Sequence, residues 1–289
     1  MILVGTSDGL YELDGGPARR IIDGEIRATG GGWVIAGRDI VSLGTGRRVG
    51  LDGPSPECVV PVDGGALVGT AEARLFRVSA ADWTVGPVRG FDAIPTRDEW
   101  YTPWGAPPDT RCLSVGADGD WLVNVHVGGV WRSADSGESW TEIVPPGKDV
   151  HQVIADGGSV IAAAAAGFGR SDDGGANWSW STAGLHADYC RAVAAAEGHE
   201  LVTASTGPGT RRGALYRRPA GSAEPFERCM AGLPDWFGYN LDTFQLAADG
   251  AVVLLGTREG NLYVSEDSGS TFSTLMTDLP AVRCVAIDV

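Results

Sequence analysis

The chain has no long apolar run. The longest, Val160 to Ala166, falls far short of the roughly 20 residues that a membrane-spanning helix requires. Positive charge is scarce: 22 lysines and arginines face 37 aspartates and glutamates, for a formal charge of -15. Such a surface repels phosphate backbones and anionic lipid, so neither nucleic acid nor membrane is an expected partner. Paired thiols are missing too. The five cysteines are an odd number with no Cys-x-x-Cys spacing, and read as free thiols. The opening Met1-Ile-Leu-Val-Gly-Thr6 carries no basic n-region and no signal-peptide core, so the expected location is cytoplasmic. Helical periodicity is not sustained anywhere. What is abundant is turn chemistry: 43 glycines and 16 prolines are spread along the whole length. That pattern predicts short strands joined by turns, in one domain over residues 1–289.

An internal repeat specifies the fold. Three segments read Ser-x-Asp-x-Gly-x-x-aromatic: Ser133 to Trp140, Ser171 to Trp178 and Ser265 to Phe272. Each lies between two short strand-like runs. Ser and Asp side chains can bond the backbone of a tight turn, and Gly supplies a positive φ. A second repeat, Val4-Gly5-Thr6, Val68-Gly69-Thr70 and Leu255-Gly256-Thr257, leads each time to a Leu-aromatic pair. These read as second and third strands of successive blades. First strands follow by spacing, beginning near Arg27, Cys58, Arg111, His151, Arg191, Phe244 and Arg283. Three of them start 40 residues apart, at 111, 151 and 191.

The serine-aspartate turns resemble the Asp-box, or BNR, repeat of sialidase-like propellers, which sortilin-type receptors and photosystem II assembly factors share. The expectation is an all-β, seven-bladed β-propeller of four-stranded antiparallel blades, with six blades as the alternative because the 27–58 segment is weakly patterned. The N-terminal strands would pair with the C-terminal strand, Val282 to Val289, and so leave no open edge.

In such a fold the Asp-box turns occupy the bottom, and the repeat breaks down at the top. Two long top loops, Asp92 to Asp109 and Leu233 to Asp242, carry Glu99, Trp100, Trp104, Asp109, Trp236 and Tyr239. These suggest a walled pocket, or else a plug of aromatics at the channel mouth. The Ser205 to Arg212 loop adds Arg211 and Arg212. Four first-strand positions are arginine: Arg27, Arg111, Arg191 and Arg283. Guanidinium forks suit a carboxylate, phosphate or sulfate, while pairing with nearby aspartates is the equal alternative. Of four histidines, His126, His151 and His186 map to the top of neighbouring blades, where a divalent transition metal or acid–base chemistry would use them. Tyr189 lies beside them. Cys190, next to Arg191, is either an activated thiol or a buried one.

Two functions remain open. One is an enzyme, of hydrolase or lyase type, acting on a small, polar, anionic substrate in the top pocket. It is not a typical sialidase, because Arg27 is followed by Ala-Thr and Ile94-Pro95 has no preceding Arg. The catalytic candidates are then His126, His151, His186, Glu99, Asp109 and Tyr189. Arg27, Arg111, Arg191, Arg283, Trp100, Trp104, Trp236 and Tyr239 would hold the substrate. The other is a non-catalytic ligand-binding or protein-assembly module, with the aromatic loops as its interface.

Overall fold

A computed structural model describes residues 1–102 and 104–287. Pro103 of the aromatic loop, and Asp288 and Val289 of the expected last strand, lie outside the described residues.

The chain is an all-β, seven-bladed β-propeller, each blade a four-stranded antiparallel sheet. Strands β1 (Ile2–Thr6), β2 (Gly9–Leu13) and β3 (Arg19–Asp23) come first. Blades then follow in chain order: β4 (Ile26–Gly30), β5 (Trp33–Ala36), β6 (Asp39–Ser42), β7 (Arg48–Gly50); and β8 (Pro56–Val62), β9 (Gly65–Thr70), β10 (Arg74–Ser79), β11 (Val85–Pro87). Next are β12 (Thr110–Val115), β13 (Trp121–Val125), β14 (Gly129–Ser133), β15 (Thr141–Val144); and β16 (Val150–Asp156), β17 (Ser159–Ala164), β18 (Gly167–Ser171), β19 (Ser179–Ser181). Then come β20 (Tyr189–Ala196), β21 (His199–Ser205), β22 (Ala214–Pro219), β23 (Glu227–Arg228); and β24 (Leu246–Asp249), β25 (Val252–Gly256), β26 (Leu262–Ser265), β27 (Ser273–Met276). Last, β28 (Val282–Ile287) pairs with β1 and completes the first blade, Ile2 opposite Ile287 and Val4 opposite Val285. The weakly patterned 27–58 segment is a full blade, so the six-blade alternative falls.

All seven first strands lie where the repeat put them, with one local difference. The sixth starts at Leu246 rather than Phe244. Phe244 has φ +70, and the Gln245 side chain accepts from the Asp242 amide at 2.6 Å and donates to the Val282 carbonyl at 2.7 Å. Those bonds commit both residues to a turn before the strand can begin.

Two compact units divide the contacts. One comprises Met1–Ile26, Ala162–Arg170 and Ser179–Val289; the other comprises Arg27–Ile161 and Ser171–Trp178. In the first, the inner strands of neighbouring blades pack Ala192, Leu201 and Leu215 against Leu246, Val253 and Leu255. In the second, Ile35 and Ile40 pack against Val59, Val68 and Val78. Second strands such as β9 and β13 are buried throughout, whereas fourth strands such as β3 and β27 are mostly exposed. Burial on both faces explains why the inner strands read as apolar runs rather than alternating ones.

The glycine of the Gly-Thr repeat has a packing reason. A Cβ on Gly5 would stand 2.7 Å from Ile26 Cγ2, one on Gly69 2.3 Å from Thr110 Cγ2, and one on Gly256 2.4 Å from Val282 Cγ1. In each case the next blade's first strand fills the space a side chain would need.

The three serine-aspartate turns share one hydrogen-bond set. The Ser hydroxyl donates to the Asp carboxylate and accepts from the Gly amide, each at 2.8–2.9 Å. The same carboxylate accepts both the amide and the side chain of Ser139, Asn177 or Thr271. These bonds push Asp135, Asp173 and Asp267 down to about 2. Each turn joins the third strand to the fourth, as expected.

Gly69→Ala should lower the unfolding free energy by about 1–3 kcal/mol through overpacking. Gly86→Ala, whose Cβ meets nothing within 4 Å, should change it by less than about 0.5 kcal/mol. Chemical denaturation of both variants checks this, and equal midpoints would refute the packing role.

Candidate functional site

Arg27, Arg191 and Arg283 are taken up internally. Arg27 donates to Glu57 at 2.7 Å, Arg283 lies 3.6 Å from Glu25, and Arg191 donates through Nε to Asp242 at 2.6 Å. Tyr189 accepts from Arg191 Nη1 at 3.1 Å. Burial works against the Arg191 charge, but Asp242 and Tyr189 outweigh it and raise its pKa. Internal pairing, not a ring of open anion receptors, is what these positions provide. The Arg111 charge acts on Asp109 and Asp149.

The histidines do not assemble as a ligand set. Among the described residues no group of three or more His, Cys, Asp or Glu side chains could hold a metal ion, which corrects the three-histidine metal centre. His186 shows the physical reason, because both of its ring nitrogens are engaged. Nδ1 is 2.7 Å from the Tyr216 hydroxyl and Nε2 is 2.9 Å from the Arg212 carbonyl. A carbonyl only accepts, so Nε2 carries the proton and Nδ1 accepts from Tyr216. Trp236 lies against this imidazole at 4.7 Å, and Arg212 and Arg228 stack on Trp236 at 4.2 and 3.9 Å. Trp236 is therefore largely covered by guanidinium groups.

His126 and His151 do converge, on one carboxylate. His126 Nε2 is 3.5 Å and His151 Nε2 is 3.6 Å from the two oxygens of Asp149. These are ion-pair distances, longer than a good hydrogen bond. Asp149 occupies the left-handed region, φ 46 and ψ 62, at the end of a 3-10 turn. That conformation is uncommon for a residue with a side chain and marks a constrained position. Burial alone would raise the Asp149 carboxyl; His151, His126 and Arg111 outweigh it and hold it below the usual range. Asp109, half-buried, is pushed up by its burial against the opposing pull of Arg111. Trp104 is 63% exposed and meets the His126 ring edge-on at 4.8 Å. Trp100 is different: it is 6% exposed and packs between Phe91 and Trp131. It cannot face a ligand, which corrects its expected role. Glu99 is an exposed residue ending the Arg97–Glu99 turn. Cys190 is buried and its thiol pushed up to about 12, so the activated-thiol alternative falls.

Within the first unit, a cleft of about 460 Å³ opens beside Arg191. Its walls include Gly209, Arg211, Tyr239, Asn240, Asp242 and Arg258. The loops are tied together before any ligand arrives. Gly213 and Phe237 exchange two backbone hydrogen bonds, at 3.0 and 2.9 Å. Asn240 donates to the Gly207 and Pro208 carbonyls at 3.3 and 3.0 Å and accepts from Ser205 at 2.5 Å. Thr210 accepts the Arg212 amide at 2.9 Å. Asp242 is neutralised by Arg191, but Arg211 and Arg258 are exposed and form no ion pair among the described residues. Arg258 lies over the half-exposed Tyr239 ring at 5.2 Å. The cleft thus presents two uncommitted guanidinium groups.

No family model and no curated protein matches the sequence. Solved structures do match, as folds. The WD40 repeats of RRP9 share 13% identity and a TM-score of 0.63, over 89% of this chain and 81% of that one. The computationally designed Ika8 protein shares 12% identity and a TM-score of 0.62, over 99% and 87%. A xyloglucanase of glycoside hydrolase family 74 from Xanthomonas campestris shares 17% identity and a TM-score of 0.50. That alignment covers 76% of this chain and only 38% of the enzyme. These likenesses establish the propeller and nothing about chemistry.

Arg258 is not among the residues singled out in the sequence, whereas Asn240 and Gly209 lie in two of its top loops, Leu233 to Asp242 and Ser205 to Arg212, without an assigned role. Arg258 directly follows the Leu255-Gly256-Thr257 repeat, so the blade register already placed it at the same end as Arg211. Asn240 gives no local signal, because its bonds reach residues more than 30 positions away.

His186 should titrate below the ordinary imidazole value of about 6.5. Burial lowers it, the Arg212 carbonyl bond raises it, and the Arg212 and Arg228 charges lower it again. A folded pKa below the unfolded one stabilises the fold at pH values above about 6.5, and this contribution is lost as pH falls through the folded value. Nitrogen-15 NMR should find the Nε2–H tautomer at pH 7; a charged ring at that pH would contradict the geometry.

Proposed function

We propose that this propeller binds a small, polar, anionic molecule in the Arg211–Arg258 cleft. The observation that supports it most is the difference between paired and uncommitted arginines. Arg27, Arg191 and Arg283 have carboxylate partners, whereas Arg211 and Arg258 face an open cleft without one. Two exposed cations line one cleft in a chain of net charge -15, and an anionic ligand would supply the counter-charge they lack. Asn240 and the Gly213–Phe237 pair fix the backbone that carries Arg211, and Arg258 lies over the Tyr239 ring, which reduces the ordering cost of binding. The three serine-aspartate turns, with their shared bond set, support membership among Asp-box propellers. Five buried cysteines outside any disulfide are compatible with a cytoplasmic setting.

A thermal-shift series with acetate, citrate, sulfate and inorganic phosphate tests the reading. At a hundredfold excess over its dissociation constant a ligand stabilises the fold by about 2.7 kcal/mol. Arg211→Gln and Arg258→Gln should each weaken binding about tenfold, the loss of one charge-assisted contact of about 1.5 kcal/mol. No shift with any of the anions would refute it.

A second reading is favoured by the His126–Asp149–His151 arrangement. A charged carboxylate beside two imidazoles can orient them and stabilise a proton passed between ring and substrate. The protein would then be a hydrolase or lyase, with His126 as the acid–base group beside the exposed Trp104. A panel of p-nitrophenyl esters and phosphates checks this. Turnover should fall at least about 100-fold in His126→Gln; equal turnover in wild type and variant, or none in either, removes the reading.

A further inference from the structure

The Arg211 loop has donors that its own structure leaves unused. It runs Ser205-Thr-Gly-Pro-Gly-Thr-Arg-Arg212. The amides of Thr206, Gly207, Thr210 and Arg212 are all bonded within the loop. Those of Gly209 and Arg211 have no acceptor among the described residues, and both residues line the cleft. A Cβ placed on Gly209 would meet nothing within 4 Å, and its φ lies outside the left-handed region. The loop therefore borders empty space, with two backbone donors and Arg211 on one short segment and Arg258 on the wall of the same cleft.

We infer that the anionic group bound in this cleft is a tetrahedral oxyanion, a phosphate group of a small phosphorylated molecule, seated on the Gly209 and Arg211 amides between the Arg211 and Arg258 guanidinium groups. This rests on the anion-binding reading of the same cleft. Donor count argues for it. One guanidinium fork satisfies the two oxygens of a planar carboxylate. Two forks plus two amides around a glycine exceed what one carboxylate accepts, and suit a group with three or four terminal oxygens. Thr210 cannot substitute for an amide, because its hydroxyl already takes the Arg212 amide at 2.9 Å and pairs with Thr206 at 2.8 Å. Asp242, the one carboxylate on the cleft wall, is held by Arg191, which limits its repulsion of a bound dianion.

Isothermal titration with inorganic phosphate, sulfate, citrate and acetate tests the assignment on wild type, Gly209→Leu and Arg211→Gln. Phosphate should bind one per chain, at least tenfold tighter than acetate or citrate, with sulfate close behind. Gly209→Leu fills the space over the loop without changing charge and should abolish phosphate binding at an unchanged melting temperature. Arg211→Gln should weaken it about tenfold. Citrate or acetate binding as tightly as phosphate overturns the tetrahedral assignment while leaving the anion cleft intact. Phosphate binding that survives Gly209→Leu and Arg211→Gln moves the anion away from this loop and overturns the inference. If no anion binds at all, the anion-cleft reading itself fails. Should Gly209→Leu not fold, Arg211→Gln alone decides: unchanged phosphate affinity there overturns the inference.

Discussion

Neighbouring sheets can approach closely only where one backbone leaves room for the side chains of the next. At three blade junctions that room is a glycine: Gly5 against Ile26, Gly69 against Thr110 and Gly256 against Val282. Each glycine ends or nearly ends a second strand, so each fixes how the following first strand enters its blade. Residues at the start of those first strands, and in the loops leading to them, inherit their positions from this contact.

The two polar centres differ in how their charges are settled. Around Asp149, two imidazoles and the Arg111 charge favour the ionised carboxylate, which is stabilised by its own neighbours. In the Arg211–Arg258 cleft the balance is incomplete, since Asp242 serves Arg191 alone. That incomplete balance, at a solvent-facing cleft, is what the proposed anion binding rests on.

The fold was legible because its signals are local and repeated. Turn residues lie within eight positions of one another, and in the three blades that carry the turn its serine follows the start of the first strand by roughly twenty positions. The polar residue before each turn's aromatic, Ser139, Asn177 or Thr271, completes the bond set, and its small polar character was there to be read. The site was only partly legible because it depends on distant partners. Arg27 and Arg191 look alike in sequence, yet their carboxylates are supplied from 30 and 51 positions away. Trp100 and Trp104 share one loop, and nothing in their immediate context says that one is core and the other exposed. His186 belonged to the right end of its blade, but its partners Tyr216 and Arg212 are set by the fold.

The cysteines, all five buried, carry one more consequence. Burial pushes Cys112 up to about 11 and Cys190 and Cys229 up to about 12, where almost none of the reactive thiolate exists at neutral pH. Alkylating reagents and peroxide therefore have little to attack while the blades stay closed. Labelling of these thiols becomes a clock for blade opening: each one reports when its own sheet parts from the next.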